Sequence, residues 1–524
     1  MPDDSIDVER SGATETSGVA RAASLKRPRQ AVVVVHGMGQ QRVMDTLRSF
    51  IEAVVPRPTK RGESWYYSRP DKVADSGRYD ERRLLVPASD NRVQTEFYEY
   101  HWAHLMAGNK LSHMIPLIRS ALFRFPKNLR IFGLWLFVWL LVAGAAFLGV
   151  YLVQSTDRTL TSADVDSIVT FVGAVGVWSW VLTKALNWVL VFVIGTLADF
   201  ARYNNAAPGN QQVRNAIRKG LIDLLEELHE AEIVHVDKNG TETKLPKYDR
   251  IIVATHSLGS IVAYDAISVL WGRMCKLHAK PDKSRPFSES SIIALESVAV
   301  SLNDPDGLAT VADFQSAQIE AWVEMRENGN PWRITDFITF GNPMAQSNQL
   351  LARSREDLRH LICRKELVSC PPLPDAPWMT GPREHELQSH EWDWCQNTEE
   401  QLRKAYYNDK WHYWWPCSAG APNLAYSSPF AVIRWTNVWY TADVFGGPLA
   451  PLFGKGIRDV KLCSEGFLSR VPVAAHNRYL SYPESAKQCG ASQTLAAALD
   501  FDAEAWLKNI PNLEPDLASA FHTR

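Results

Sequence analysis

Ser257 lies in a sequence context that can turn a serine hydroxyl into a nucleophile. The apolar run Ile251–Ala254, rich in β-branched residues, predicts a buried strand. The segment Thr255–Gly259 (THSLG) interrupts this run, and the apolar pattern after it predicts a helix. A strand, a sharp turn with a serine and a helix form a nucleophile elbow, which exposes the hydroxyl and leaves the N–H of Leu258 available to bind an oxyanion.

Strand and helix approach each other closely at such a turn, so small residues are needed two positions on either side of the serine. Gly259 meets this requirement, whereas Thr255 stands where the G-x-S-x-G pattern has its first glycine. The match is therefore incomplete. On these residues alone, an ordinary strand-to-helix turn that contains a serine stays an alternative.

A second turn supplies a candidate for the other oxyanion donor. The run Ala31–Val35 (AVVVV) predicts a buried strand, and the residues directly after it read HGMG. Glycines let a backbone approach a substrate carbonyl closely. The N–H of Met38 is the predicted donor and that of Gly39 the second choice, with a plain strand-to-helix turn as the alternative.

A serine nucleophile needs a base to accept its proton and a carboxylate to hold that base in one tautomer. When the serine comes first in the chain, the acid and then the histidine are expected on loops after later strands. Asp443 follows the strand predicted over Ala431–Tyr440 (AVIRWTNVWY), and His476 follows 33 residues later. The sequence therefore predicts the triad Ser257, Asp443 and His476.

Other acids and histidines fit these roles less well. Asp336 begins its predicted strand, which places it at the opposite end of the sheet. His256 precedes the nucleophile, so its ring is expected to point away from the serine and to serve packing or the elbow itself. His390 and His412 fall in an insertion.

Composition excludes several classes of protein. A net charge of −2 over 524 residues gives no indication of nucleic-acid binding. The seven cysteines are scattered, without a C-x-x-C pair, so neither a disulfide framework nor a zinc site is indicated and a reducing compartment is favoured. No metal or other cofactor is implied. The polar residues 1–29 predict a disordered tail rather than a signal peptide.

Two apolar stretches predict a membrane-spanning hairpin. Ile131–Val153 has no charged residue and would extend about 34 Å as a helix. Ile168–Ala198 is interrupted only by Lys184, which is expected near an interface. Basic residues flank both stretches, while the loop between them has only Arg158, so both chain ends are predicted to be cytoplasmic. A hydrophobic hairpin buried in the protein, or one that serves as a lid, stays an alternative.

The remaining pattern predicts helices, strands and one large insertion. Residues 351–428 combine charge, proline and many aromatic residues, which fits either a cap over an apolar site or a separate aromatic subdomain. The other predictions are helices over Gln41–Val55, Asn210–Glu230 and Ser492–Leu507, strands over Thr95–Trp102 and Ile334–Phe340, a strand or a helix over Ile292–Ser301, and loops over residues 57–92 and 237–247.

Three segments resemble a known superfamily. Thr255–Ile267 (THSLGSIVAYDAI) resembles the elbow of α/β-hydrolase lipases and phospholipases, especially intracellular phospholipase A1 of the DDHD type. Val33–Gln41 (VVVHGMGQQ) is similar to their HG-I-G opening. Trp435–Gly447 (WTNVWYTADVFGG) looks like the W-x-N…D…GG acid loop of related bacterial hydrolases. The resemblance implies a mostly parallel sheet with helices on both faces, and it supports Asp443 as the acid.

These observations lead to one expected organisation. Hydrolase segments are expected over residues 30–109, 201–350 and 429–524, with the membrane hairpin over 110–200 and the aromatic insertion over 351–428. The expected protein is a membrane-anchored serine hydrolase of lipid esters, a lipase or phospholipase A, in a bacterial inner membrane with its catalytic domain in the cytoplasm. A thioesterase or protein deacylase with the same triad, and a catalytically silent membrane scaffold, are the alternatives.

Overall fold

The structure is a computed structural model and describes residues 29–38, 42–56, 64–70, 82–88, 92–106, 208–236, 242–279, 286–374, 413–416, 422–462, 475–480 and 491–500, with a few single positions between 136 and 240. The strands in these ranges are β1 Arg29–Val35, β2 Tyr67–Pro70, β3 Arg82–Val86, β4 Gln94–Tyr100, β5 Glu232–Val236, β6 Glu242–Pro246, β7 Arg250–His256, β8 Ile334–Phe340, β9 Trp414–Pro416, β10 Pro422–Leu424, β11 Arg434–Tyr440 and β12 Arg458–Leu462. The helices are α1 Asp45–Val54, α2 Pro208–Glu230, α3 Gly259–Met274, α4 Ser290–Asn303, α5 Val311–Glu327, α6 Ser347–Leu350, α7 Arg355–Cys363, α8 Ala450–Phe453 and α9 Ala491–Leu499.

Eight strands form one mixed, mostly parallel sheet in the order β12–β11–β8–β7–β1–β4–β3–β2. The neighbours from β12 to β4 pair in parallel, and β3 and β2 pair antiparallel at one edge. β1 and β7, in the middle of the sheet, are rich in apolar and β-branched residues because both of their faces are buried, as expected of parallel strands covered by helices. The chain therefore has an α/β fold.

Alternate residues of the central strands face two separate hydrophobic cores. Val33 and Val253 pack with α2, α3, α4 and α5 on one face. Val34 and Ile252 pack with α1 and α9 on the other face. Helices thus cover both faces, as the strand pattern predicts.

Parallel pairing brings the carboxyl ends of four strands to the same end of the sheet. β1, β7, β8 and β11 end at Val35, His256, Phe340 and Tyr440 and run in the same direction. The segments that follow these four strands are therefore neighbours in space, although they are far apart in the chain. This end of the sheet carries the predicted nucleophile, oxyanion turn and acid.

Most of the predicted elements in the described ranges are confirmed, with shifted ends. The helix expected from Gln41 begins at Asp45, the one expected at Asn210–Glu230 begins at Pro208, and the strand expected over Thr95–Trp102 spans Gln94–Tyr100. The open choice over Ile292–Ser301 is a helix, α4. The final helix is α9, and the part of its predicted range after residue 500 lies outside the described residues.

Two loop predictions were wrong. Residues 57–92 contain β2 and β3, which form the antiparallel edge of the sheet and bury Leu84, Leu85 and Val86. Their polar and arginine-rich surroundings conceal a short strand, because an edge strand needs few apolar residues. Residues 237–247 belong in part to the β5–β6 hairpin, which is largely exposed and therefore has no apolar run to reveal it.

Within the described part of the chain, no helix is long and apolar enough to cross a membrane. The two predicted spans, Ile131–Val153 and Ile168–Ala198, lie outside the described residues apart from a few single positions. They therefore stay predictions. Of the aromatic insertion, the structure describes α7 and the β9–β10 hairpin, and residues 375–412 lie outside it.

Candidate active site

The predicted nucleophile lies in a sharp turn directly after β7. Ser257 has φ 53°, a left-handed conformation that non-glycine residues rarely adopt. Its N–H donates to the carbonyl oxygen of Phe340 at 3.1 Å, which ties the turn to the end of β8. A Cβ on Gly259 would lie 2.5 Å from the carbonyl oxygen of His36. A glycine is required there because α3 begins against the end of β1.

Thr255 takes the place of the first glycine without leaving a buried hydroxyl unpaired. Its Oγ1 bonds to the Oγ of Ser260 at 3.0 Å, and both side chains are fully buried. The hydroxyl that Thr255 brings to this position thus has a buried partner in Ser260. The incomplete motif is explained by this pair.

His476 joins the nucleophile to the acid. Its Nε2 accepts a hydrogen bond from the Ser257 hydroxyl at 2.8 Å, and its Nδ1 lies 3.0 Å from each carboxylate oxygen of Asp443. Since an ionised carboxylate can only accept, Nδ1 carries the proton that is donated to Asp443, and Nε2 is left to accept from the serine. The three predicted residues therefore form one chain of hydrogen bonds, and all three are buried.

Asp443 lies on the loop after β11, where its carboxylate accepts hydrogen bonds from three donors. Besides His476, the N–H of Phe445 donates to its Oδ1 at 2.9 Å and the hydroxyl of Tyr479 donates to its Oδ2 at 2.8 Å. Burial raises the pKa of Asp443, but the electrostatic interaction with His476 and these hydrogen bonds outweigh it, so the net shift is downward. The carboxylate is ionised and has a fixed orientation.

The W-x-N…D…GG pattern builds this acid loop. Asn437 donates from Nδ2 to the carbonyl oxygen of Gly447 at 2.9 Å and to Asp459 at 2.7 Å, which draws the loop back onto the sheet. A Cβ on Gly446 would lie 2.6 Å from Oδ2 of Asp443. The first glycine of the pair therefore provides the space that the carboxylate occupies.

The turn after β1 packs directly against the nucleophile. A Cβ on Gly37 would lie 2.8 Å from the Cβ of Ser257. His36 donates from Nδ1 to the carbonyl oxygen of Gly37 at 2.7 Å. Because C=O and N–H point in opposite directions in a trans peptide, this bond turns the N–H of Met38 away from His36. Met38 stays the predicted oxyanion donor.

His36 is itself fixed as a neutral ring. Its Nε2 accepts the N–H of Trp102 at 3.1 Å, and its ring stacks on the indole of Trp102 at 5.0 Å. Burial lowers the pKa of His36 to about 3. The predicted donor Leu258 directly precedes α3, and its N–H has no hydrogen-bond partner among the described residues. Gly39 lies outside the described residues.

Rival residues are placed elsewhere. Asp336 lies near the amino-terminal end of β8, at the other end of the sheet from the triad, where it pairs with Arg250 and Arg434. His256 does not bond to Ser257, and its Nε2 bonds instead to the backbone of His476 at 3.0 Å. His390 and His412 lie outside the described residues. Within the described ranges, no cluster of His, Cys, Asp or Glu is arranged to hold a metal ion.

Sequence reasoning missed three residues at the site. Tyr479 bonds to the acid, Gly341 at φ 60° makes room for the rings of Tyr479 and His476, and His36 orients the oxyanion turn. Gly341 carried a usable signal, because a glycine directly after a buried strand indicates a turn with positive φ. Tyr479 carried none, since its role depends on contacts with residues far away in the chain.

Comparison of the chain with protein-family models, with curated proteins and with solved structures found no match.

Proposed function

We propose that this protein is a serine hydrolase of the α/β-hydrolase type that cleaves carboxylic esters. The hydrogen-bond chain from Ser257 through His476 to Asp443 carries the proposal. Buried structural serines bond to backbone or to neighbouring hydroxyls, as Ser260 does. A serine bonded to an imidazole that a buried carboxylate orients is the arrangement that activates a hydroxyl.

The strand topology supports the same proposal. The nucleophile follows β7 in the middle of the sheet, the acid follows β11, and the oxyanion turn follows β1 beside β7. α1 and α9 lie on one face and the elbow helix α3 lies on the other. This is the layout that the sequence resemblance to α/β hydrolases implies.

In the proposed reaction, Oγ of Ser257 attacks the ester carbonyl while its proton moves to Nε2 of His476. The carbonyl π electrons move to oxygen, and the N–H groups of Leu258 and Met38 bind this oxyanion. Each such donor contributes about 10²- to 10³-fold in rate. The C–O bond to the alcohol then breaks, the alcohol takes the proton from His476, and an acyl-serine remains.

Water completes the cycle by the same route. His476 removes a proton from water as the oxygen attacks the acyl carbonyl, and the second oxyanion is bound as the first was. When the bond to Oγ of Ser257 breaks, that oxygen takes the proton back from His476. Asp443 stays ionised throughout and stabilises the imidazolium.

Lipid esters are the proposed substrate class. The two apolar stretches predicted from the sequence would anchor the chain in a bilayer and keep the site beside lipid. Basic residues at both ends of the predicted hairpin would attract anionic head groups. A lipase or phospholipase A activity at the cytoplasmic face of a membrane follows from these two points.

Labelling with a fluorescent fluorophosphonate tests the hydrolase proposal. Wild type should be labelled, and Ser257→Ala should not be, because the phosphorus atom reacts only with an activated serine. Ser268→Ala is the matched control: it removes a hydroxyl from α3, the helix that follows the nucleophile turn, and it should label as wild type does. In wild type, Oγ of Ser268 donates to the carbonyl oxygen of Tyr264 at 2.8 Å. Unlabelled, folded wild type in detergent and in lipid vesicles would contradict the proposal and favour the silent scaffold.

The substrate class needs a second measurement. Wild type should release fatty acid from phospholipid vesicles faster than it cleaves an acyl thioester of the same chain length, and Ser257→Ala should do neither. Faster cleavage of the thioester would replace the lipase proposal with the thioesterase alternative. It would leave the triad proposal intact.

A further inference from the structure

The short segment that carries His476 is joined to the sheet at two points outside the triad. Among the described residues, 475–480 follow and precede ranges that the structure does not describe. Hydrogen bonds reach this segment from His256 and from Tyr440, in addition to those between the triad residues and between Tyr479 and Asp443. The position of the general base therefore depends on neighbours that do not react.

The first point is the backbone carbonyl of His476. Nε2 of His256 donates to this oxygen at 3.0 Å, so the ring of His256 is a neutral imidazole protonated at Nε2. The ring stacks on Phe340 at 5.2 Å and lies 5.0 Å from the ring of His476. Burial, and then the charge of His476, lower the pKa of His256 to about 3. His256 thus holds the base without competing for the proton.

His256 also contacts the oxyanion turn. A Cβ on Gly37 would lie 2.9 Å from Nδ1 of His256. One side of the ring therefore faces the turn that leads to Met38, and the other side faces His476. The ring of His256 lies between these two parts of the site.

The second point is the hydroxyl of Tyr479. It accepts the N–H of Tyr440 at 3.0 Å and donates to Oδ2 of Asp443 at 2.8 Å. The hydroxyl therefore accepts a hydrogen bond from the end of β11 and donates one to the acid. Gly341 leaves room for this arrangement, because a Cβ there would lie 2.9 Å from Cε2 of Tyr479.

We propose that His256 and Tyr479 are positioning residues, which hold the backbone of His476 and the carboxylate of Asp443 in the geometry that lets Nε2 reach Ser257. This inference rests on the proposed hydrolase function. Small displacements of a base have large effects on rate, since a shift of about 1 Å can lower turnover about 10²-fold.

Substitutions of His256 in the full-length protein test the first point. His256→Gln places an N–H the same number of bonds from Cα as Nε2, whereas His256→Asn places it at the position of Nδ1. We expect kcat for a p-nitrophenyl ester within about threefold of wild type for the Gln variant, and losses of about 10- to 100-fold for the Asn and Phe variants with KM unchanged. Full activity of the Phe variant, or equal losses in Gln and Asn, would overturn the proposal.

A buried histidine elsewhere is the matched control. His229 is fully buried, whereas His256 is partly buried. Nδ1 of His229 donates to the carbonyl oxygen of Leu225 at 2.6 Å, and burial lowers the pKa of both rings to about 3. His229→Gln should change stability but leave kcat unchanged. If it lowers kcat as much as His256→Asn does, the loss reflects general destabilisation and the proposal fails.

Tyr479→Phe tests the second point. We expect kcat to fall about tenfold, because the carboxylate loses one of its donors. Since Tyr479 acts through Asp443, adding Tyr479→Phe to Asp443→Asn should cause no further loss. Additive losses would overturn this role. Fluorophosphonate labelling of wild type separates the two levels: no labelling defeats the proposed function, whereas a labelled wild type with insensitive variants defeats only this inference.

Discussion

Two buried aspartates, Asp443 and Asp336, lie at opposite ends of the strands of the same sheet and differ in their partners. Asp336 accepts from Arg250 at 2.6 Å and from Arg434 at 2.8 Å. These arginines begin β7 and β11, the two strands that flank β8. Asp443 has no arginine or lysine partner among the described residues; it bonds to an imidazole, a phenol and a backbone N–H. Both carboxyl groups have a lowered pKa despite their burial.

Under the proposed function, this difference separates a structural carboxylate from one that takes part in the reaction. The charge of Asp336 is already matched by two permanent cations, Arg250 and Arg434. At Asp443 the partner that can become a cation is His476, and it does so when it accepts a proton. The field of Asp443 therefore remains available for the imidazolium that the proposed reaction forms.

The largest expected effect is on turnover at Asp443. Asp443→Asn should lower kcat about 10⁴-fold, because an amide favours the wrong tautomer of His476. The free energy of unfolding should change little, since the amide keeps the shape of the carboxylate. Ester hydrolysis and urea unfolding of the same preparation measure both quantities. Turnover within tenfold of wild type would end the assignment of Asp443 as the acid.

The converse effect is expected at Asp336. Asp336→Asn leaves Arg250 buried without its counter-charge, and loss of one member of such a pair destabilises by about 3–5 kcal/mol. Turnover per folded molecule should match wild type when active sites are counted with the fluorophosphonate. If this variant lost turnover as Asp443→Asn does, the distinction between a structural Asp336 and a catalytic Asp443 would be wrong.

Acidification should remove the stabilisation that Asp336 provides. Burial raises its pKa, but Arg250 and Arg434 lower it further, so the folded protein binds this proton less tightly than the unfolded chain does. The contribution is complete above the ordinary pKa of about 3.9 and is lost as pH falls through the lowered value. The difference in unfolding free energy between wild type and Asp336→Asn should therefore be largest at neutral pH and shrink on acidification. A constant difference would contradict it.

The smallest effect compares two adjacent glycines in the acid loop. Gly446→Ala should lower kcat about tenfold, because the new Cβ would lie 2.6 Å from Oδ2 of Asp443 and must displace it. Gly447→Ala meets only the Cβ of Ala345 at 3.1 Å and should leave kcat within about twofold. Equal kcat values for the two variants would show that the orientation of Asp443 does not depend on this loop.

Much of the central fold could be predicted because burial on both faces leaves a continuous apolar run. β1 and β7 carry such runs, and the turn at Ser257 follows one of them directly. Asp443 and His476 could be predicted from their order after these strands. The short edge strands could not, because β2 is fully exposed and β3 is flanked by arginines.

The supporting contacts of the site were beyond sequence reasoning. His256 and His476 are 220 residues apart, and Tyr479 and Asp443 are 36 apart. Neither pair has a local pattern, since the contact arises only when parallel strands bring their carboxyl ends together. The partners of Asp336 were hidden for the same reason, although its position at the wrong end of the sheet followed from the strand alone.

The left-handed backbone at Ser257 places stability and activity in opposition at a single residue. A side chain with a Cβ costs about 1–2 kcal/mol in this conformation, and glycine does not. Glycine would remove this cost in the folded protein, but its greater freedom in the unfolded chain offsets part of the stabilisation. Ser257→Gly should therefore unfold at a higher denaturant concentration than Ser257→Ala, although both lack the hydroxyl. Natural selection that acted on folding alone would favour replacing this serine, so its retention would itself be a signature of selection for chemistry.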